Sequence, residues 1–397
     1  MVEQVVEPRI RGFISVTAHP EGCAANVRAQ VEVAKQGLAG MPRLGPTLVV
    51  GSSTGYGLAT LLSACFGLDA PVLGVCFERE SSEEKLGTAG WYNLAEAHRL
   101  AQAEGRHLET VNGDAFSDEV KTQVIDALRE RYGPIELLVY SLAAPRRTDP
   151  ASGAVWHSVL KPVGADFHDK TVNLRTNEVE EASIEAATPE EIEGTRHVMG
   201  GEDWAEWVRR LQEAGLLAPG FRTVAYSYVG PVLTQAIYRH GTIGLAKEHL
   251  EATAGELTAS LSDLDGHAWV SVNKAVVTQA SAAIPAVGLY VSLLLKVMKE
   301  RGTHEGTIEQ IVRLLRTQVG PGVEPQPDDA GLIRLDDLEL EPDVQAAVAE
   351  AWARVSTENL REISDYDGYQ ADFQRLFGFG VEGIDYSAPT EVHRPLV

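Results

Sequence analysis

The chain has 397 residues, 44% of them hydrophobic and 23% charged. That balance excludes wholesale disorder and allows either two or three ordinary domains or one enlarged α/β domain. Thirty-four Lys and Arg against 57 Asp and Glu leave a net charge of −23, which argues against sequence-independent binding to a nucleic-acid backbone but leaves room for a local pocket for one anionic ligand.

The first residues, MVEQVVEPRIRGF, carry charges where an export signal needs an apolar run. Three cysteines (Cys23, Cys65, Cys76) without CxxC spacing cannot build a disulfide framework, so a reducing, cytoplasmic location is expected. Next come apolar runs of strand length at 47–51, 71–78, 108–114 and 135–143, separated by helix-length segments near 55–66, 91–104 and 117–131. Strands are expected again at 221–229 and 268–277, with helices near 242–256 and 283–300. Apolar strands alternating with helices mean a parallel sheet covered on both faces.

The section 144–220 breaks this rhythm with polar clusters and an acidic run, and reads as an insertion over the ligand-binding end of the sheet. Within it Thr188 and Glu191 are placed as a capping box opening a helix. Residues 275–295 carry no charge and are long enough to reach across a bilayer. Thr278, Gln279, Ser281, Pro285, Gly288 and Ser292 interrupt them, however. The run therefore reads as a buried helix with Pro285 in its first turn, and no stable membrane insertion is expected. Residues 318–397 are expected to be a helical closure, which makes the whole chain, 1–397, a single enlarged domain.

The most informative segment is 47–62, in which a buried strand feeds a turn with glycines at Gly51, Gly55 and Gly57, followed by an apolar helix. Glycines admit positive φ and let a pyrophosphate approach the backbone, while the helix N-terminus offers free N–H groups. The second strand ends in Phe77-Glu78, a carboxylate about twenty residues past Gly57, as ribose recognition requires. A carboxylate there also repels the 2′-phosphate of NADP. The third strand ends in Asp114-Ala115, a contact for the adenine edge, and the fourth in Ser141-Leu142-Ala143, small enough to lie beneath a nucleotide. An adenine dinucleotide on a Rossmann-type, doubly wound sheet is the reading these ends share.

A rival motif overlaps it. Gly51-Ser52-Ser53-Thr54-Gly55 matches G-x-S-x-G, the nucleophile elbow of α/β-hydrolases, with Ser53 as nucleophile. Only one convincing strand precedes it, and no Asp–His pair stands out downstream. A second alternative is a non-catalytic NADH-binding sensor, which would be expected to lack a proton-transfer pair. The eleven histidines show no metal-ligand spacing, so no metal is proposed. Arg146, Arg147 and Lys161 could meet an anionic carrier, but read better as exposed cations in a polar loop.

Reduction beside a nicotinamide needs a proton donor, and a tyrosine near a lysine serves, the ammonium drawing the phenol toward neutrality. No tyrosine here has a lysine four positions later; instead Tyr238 and Lys247 are nine apart. On one helix, steps of about 100° would set them on opposite faces. They can converge only if the helix starts after Tyr238, with Gly241 as the break and Thr242 as a candidate N-cap. On spacing alone, a core tyrosine with an unrelated surface lysine is the better reading.

The wording of the chain settles that choice differently. TAHPEGC near residue 20, GSSTGYG at 51–57, GTAGWYN at 87–93, NGDAFS at 112–117, YSLAAPRR at 140–147, AYSYVGP at 225–231, YRHGTIGLAKEHLE at 238–251 and SVNKAVVTQASAAIP at 271–285 together resemble the NADH-dependent trans-2-enoyl-CoA reductase family, which includes the V-type enoyl-acyl-carrier-protein reductases. The resemblance implies a monomer that uses NADH to reduce the double bond of a 2-enoyl thioester of coenzyme A or acyl carrier protein, in fatty-acid biosynthesis. It implies Tyr238 as proton donor, assisted by Lys247, and Tyr228 as the substrate-contacting tyrosine. Gly51, Ser52, Ser53, Thr54, Gly55 and Tyr56 are implied at the pyrophosphate, and Phe77 and Glu78 at the adenosine. Asp114, Ala115, Leu142 and Ala143 are implied along the dinucleotide. Lys247 is implied at the nicotinamide ribose, and Val276, Val277 and Thr278 at the nicotinamide end.

Overall fold

The computed structural model describes residues 3–11, 14–282, 284 and 286–396. Seven strands form one parallel sheet: β1 (Thr47–Val50), β2 (Val72–Cys76), β3 (Leu108–Asn112), β4 (Ile135–Tyr140), β5 (Leu217–Ser227), β6 (His267–Val272) and β7 (Ile333–Arg334). Their spatial order is β7-β6-β5-β4-β1-β2-β3, and every neighbouring pair is parallel. This is the doubly wound order, whose reversal between β1 and β4 opens a crevice at the strands' carboxyl ends.

Helices on both faces explain why β1 is buried at every position. Val49, Leu137 and Val139 face one apolar layer with Leu58, Leu61 and Ile311. Leu48, Val50 and Leu138 face the other, with Trp204, Trp207 and Leu250. The period-two alternation of the pleat thus fills two cores from one strand.

The predicted helices are present as Gly55–Leu62, Ala89–Ala103, Asp118–Ala127 and Thr242–Ser260. The uncharged run yields the helix Val287–Arg301, with Leu289, Tyr290, Leu293 and Leu294 fully buried. Its expected Pro285 start lies outside the described residues. No helix among them is long and apolar enough to cross a membrane.

Three expectations need correction. The section after residue 144 contributes two antiparallel hairpins and two helices, with the Thr188–Glu191 capping box formed, but β5 already begins at Leu217, short of its expected end. The closing segment is not purely helical: β7 pairs with β6 and extends the sheet. The helix that carries Lys247 is capped by Gly241, because the Thr242 hydroxyl is drawn to the carbonyl of Val159 and its amide to Lys161.

Candidate active site

The glycine turn sits over the crevice because there is no room beneath it for side chains. Gly51 has φ +87°, and a Cβ there would lie 2.1 Å from the Ser141 carbonyl oxygen. One on Gly57 would lie 1.8 Å from the Gly51 oxygen. Gly55, at φ +55°, instead faces open space, with Thr278 Cγ2 at 3.9 Å. The helix beginning there has no side-chain cap, so its first amides remain available to an anion. Ser52 and Tyr56 point elsewhere: Ser52 donates to the Val75 carbonyl, and the Tyr56 hydroxyl donates to the Lys274 carbonyl at 2.7 Å with Gln310 Oε1 also within reach. Of Tyr56, only the backbone is at the turn.

Past β2, Phe77 is 78% exposed beside Glu78. The Glu78 carboxylate accepts from Ser53 Oγ at 2.5 Å and from the Thr88 hydroxyl. A Cβ on Gly90 would fall 2.1 Å from Glu78 Oε1 and 2.8 Å from Ser53 Cβ, so glycine there leaves the space the carboxylate occupies. Thr88 and Gly90 are contributors that strand-end reasoning missed. Ser53, the residue of the hydrolase alternative, spends its hydroxyl on a carboxylate rather than on a histidine, an arrangement that does not activate a nucleophile. Past β3, Asp114 Oδ1 accepts from the Phe116 amide, and the Ala115 and Phe116 carbonyls accept from buried Lys121 at 2.8 and 3.0 Å. Leu142 packs against the Gly51 position, and Ala143 is exposed at the rim. The neighbouring cations are not free: Arg147 is buried and bonded to the His197 carbonyl and Glu202, and Lys161 to Glu191. A self-contained polar insertion, rather than a bare loop, accounts for both.

At the far end of the crevice the chain turns from Tyr228 through Tyr238 before the Thr242–Ser260 helix begins. The rings of Tyr228 and Tyr238 meet edge to face, with centroids 4.8 Å apart. Tyr238 is 8% exposed, and its hydroxyl has no hydrogen bond among the described residues. Lys247, buried on the first turns of that helix, donates to the Tyr226 carbonyl at 3.0 Å. Burial brings its ammonium down to about 8. Burial also pushes the Tyr238 phenol above its ordinary range, with no compensating pull from Lys247. Desolvation acts on that phenol alone, without the expected pull toward neutrality.

Beyond β6, Asn273 and Lys274 lead into Ala275, Val276, Val277 and Thr278, where Thr278 and Ser281 close a hydroxyl turn. The Ser227 hydroxyl and the Asn273 side-chain amide nitrogen, at the ends of β5 and β6, are buried and have no hydrogen-bond partner among the described residues. Fully buried Glu339 reaches this region from the segment after β7. Its Oε1 accepts from Tyr228 at 3.0 Å and Tyr290 at 2.7 Å, and its Oε2 from the Ala275 amide at 2.6 Å. Burial raises the Glu339 carboxyl against the pull of Lys274 and these donors. Nothing in the run DDLELEP marks this residue in the sequence. The glycine cradle, the Glu78 pocket and the two unpartnered polar groups fit a dinucleotide laid across the switch point.

Three matches with known families cover most of the chain. Residues 85–319 match the trans-2-enoyl-CoA reductase catalytic region, 5–83 the NAD(P)H binding domain of trans-2-enoyl-CoA reductase, and 327–390 the enoyl reductase FAD binding domain. The chain belongs to the trans-2-enoyl-CoA reductase family. A relative from Clostridium perfringens named trans-2-enoyl-CoA reductase (NADH) is 51% identical over 98% of this chain and 99% of its own. One from Opitutus terrae, named enoyl-acyl-carrier-protein reductase (NADH), is 51% identical over 99% and 100%. The Treponema denticola trans-2-enoyl-CoA reductase, crystallised with NAD, superimposes with a TM-score of 0.95 at 47% identity, covering 99% of this chain and 100% of that one. The flavin in the third description does not fit this segment. Between 327 and 390 a two-residue strand and packed helices replace any strand–glycine turn–helix cradle, and its buried carboxyl is already bonded to two phenols and an amide.

Proposed function

We propose that the chain uses NADH to reduce the carbon–carbon double bond of trans-2-enoyl thioesters, in the building of fatty acyl chains. One observation carries the reading: two tyrosines from separate turns meet edge to face, and Lys247 reaches the Tyr226 carbonyl two residues before the first of them, at the carboxyl ends of the strands that also carry the glycine turn. Ser53, Thr54, Gly55 and the Tyr56 backbone hold the pyrophosphate, over the space that Gly51 leaves open, while Ser52 braces the turn on the Val75 carbonyl. Phe77, Glu78, Asp114 and Ala115 hold the adenosine, and Leu142 and Ala143 lie beneath the dinucleotide. Lys247 holds the nicotinamide ribose, with Val276, Val277 and Thr278 flanking the ring. Bound NADH supplies the hydride that adds to Cβ of the substrate.

As that bond forms, the π electrons move toward the thioester oxygen. A hydrogen-bond donor placed there stabilises the transition state more than the ground state. Tyr238 can act as this donor, because burial keeps its phenol protonated and its hydroxyl is not committed to another protein group. It gives its proton to Cα, directly or by way of the enol oxygen, while the Tyr228 ring bounds the acyl group. Coenzyme A and acyl carrier protein present the same reacting atoms through phosphopantetheine, so either carrier is compatible with these groups.

The test is consumption of NADH driven by crotonyl-CoA. Tyr238→Phe should lower turnover about a hundredfold or more and leave NADH affinity within about threefold, since the tyrosine contacts substrate rather than coenzyme. Undiminished turnover in that variant removes Tyr238 from the chemistry.

A further inference from the structure

Two phenols stand side by side at the reacting end, and the resemblance that makes Tyr238 the acid gives no physical reason why Tyr228 is not. A phenol has a single proton to donate. The Tyr228 proton is directed at Glu339, whereas Tyr238 has no acceptor among the described residues. Glu339 arrives there through topology. β7 pairs beside β6, the Leu335 amide bonds to the Val272 carbonyl, and the chain then turns inward and places Glu339 beneath the segment that leaves β6. With the carboxyl ionised, its surroundings fix the direction of every bond. Oε2 faces the Ala275 N–H, which can only donate. Oε1 faces Tyr228 and Tyr290, and the Tyr290 oxygen already accepts from Gln345 at 3.1 Å.

We propose that Glu339 is a positioning residue that assigns the roles of the two tyrosines: by accepting the Tyr228 proton it makes that phenol a fixed wall of the substrate site and leaves Tyr238 as the acid. The same carboxyl ties Tyr228 to Ala275, so the wall and the segment flanking the nicotinamide end are held as one unit. The assignment rests on the reductase reading above. It adds a residue from the closing segment of the chain, 61 positions or more from either end of the 275–278 run.

Glu339→Gln tests it without changing shape. The Ala275 N–H keeps the amide oxygen at the Oε2 position, so the NH2 group falls at the Oε1 position and donates to both phenols. The bond to Tyr228 is thereby reversed and its proton released toward the substrate. On this background the turnover lost through Tyr238→Phe should shrink by about tenfold, the scale of one charge-assisted hydrogen bond. That recovery should disappear when Tyr228→Phe is added.

An equal loss from Tyr238→Phe in both backgrounds, or a recovery that persists without Tyr228, overturns the assignment. Should Glu339→Gln fail to fold, Tyr228→Phe alone decides. The assignment requires a loss in kcat at least about tenfold smaller than that of Tyr238→Phe, and an equal or larger loss overturns it. Absence of crotonyl-CoA-driven NADH oxidation in the unsubstituted protein, or full turnover in Tyr238→Phe alone, overturns the reductase reading and the assignment with it. An unshrunken loss alongside normal parent activity counts against Glu339 alone.

Discussion

At the adenosine end of the crevice β1, β2 and β3 each deliver their residue within the first positions past a strand, whereas at the tyrosine end the groups that meet come from four separate stretches of chain. Gly51, Glu78 and Asp114 are where a doubly wound sheet must put them, and what they need from one another is mostly backbone space. Tyr228 meets Tyr238 and Glu339, and Lys247 reaches the Tyr226 carbonyl, only because a helix starts late, after Gly241, and because β7 returns to the sheet edge. A site made of backbone conformation is specified locally. A site made of buried side-chain bonds is specified by the whole fold.

The contrast breaks at one point, and the largest predicted effect lies there. The loop after β3 is held by Lys121, a fully buried ammonium bonded at 2.7 Å to Asp203 of the helix Glu202–Glu213, with the Tyr140 hydroxyl on the other Asp203 oxygen. The Trp207 ring lies 5.1 Å away. Removing one partner of a buried pair leaves an uncompensated charge, so Lys121→Met should destabilise the fold by about 3–5 kcal/mol in urea unfolding. Adding Asp203→Asn should recover part of the loss. A loss under about 1 kcal/mol would mean that the adenosine end is as locally specified as its strand ends suggest.

The glycine turn tests the local side of the comparison directly. A Cβ at Gly57, 1.8 Å from a backbone oxygen, cannot be accommodated by rotating a side chain. Gly57→Ala should therefore displace the turn and weaken NADH binding about a hundredfold, the upper range of overpacking costs. Fluorescence titration with NADH reads this, with Glu339→Gln as the contrasting variant expected to bind within about threefold of the parent. Equal NADH affinity in Gly57→Ala would show that the cradle is not at this turn.

How much could be read from the chain follows from the same distinction. The strand-turn-helix at 47–62, the carboxylate after β2 and the Thr188 capping box are all written in neighbouring residues, and all are present. The helix break between Tyr238 and Lys247 was forced by rotation per residue, although its cap was misassigned because the competing partner, Val159, is 83 positions away. The two-residue β7 was missed because so short a strand has no period to detect; its pairing is set by the edge of β6. Glu339 was missed for a related reason: of the four acidic residues in DDLELE, Asp336 and Glu339 are buried, and only the fold decides which of them reaches the tyrosines. The lowered phenol expected for Tyr238 has no counterpart in its surroundings, where burial alone acts and raises it.

The smallest effect is expected at Glu78, and its size separates repulsion from recognition. The carboxylate is held by Ser53 and Thr88 and is spared a clash by the missing side chain of Gly90. Glu78→Gln keeps the shape and removes the charge that would face a 2′-phosphate. Two like charges a few ångströms apart near water repel by about 1 kcal/mol or somewhat more, so the ratio of kcat/KM for NADPH over NADH should rise about tenfold. It should not invert, because no cation replaces the lost repulsion with attraction: Arg79, next in sequence, donates to the Leu86 carbonyl. A ratio that does not move would place coenzyme selection away from β2. A full inversion would mean that a cation swings into the pocket once the carboxylate is gone, making this end of the crevice depend on rearranged side chains in the way the tyrosine end does.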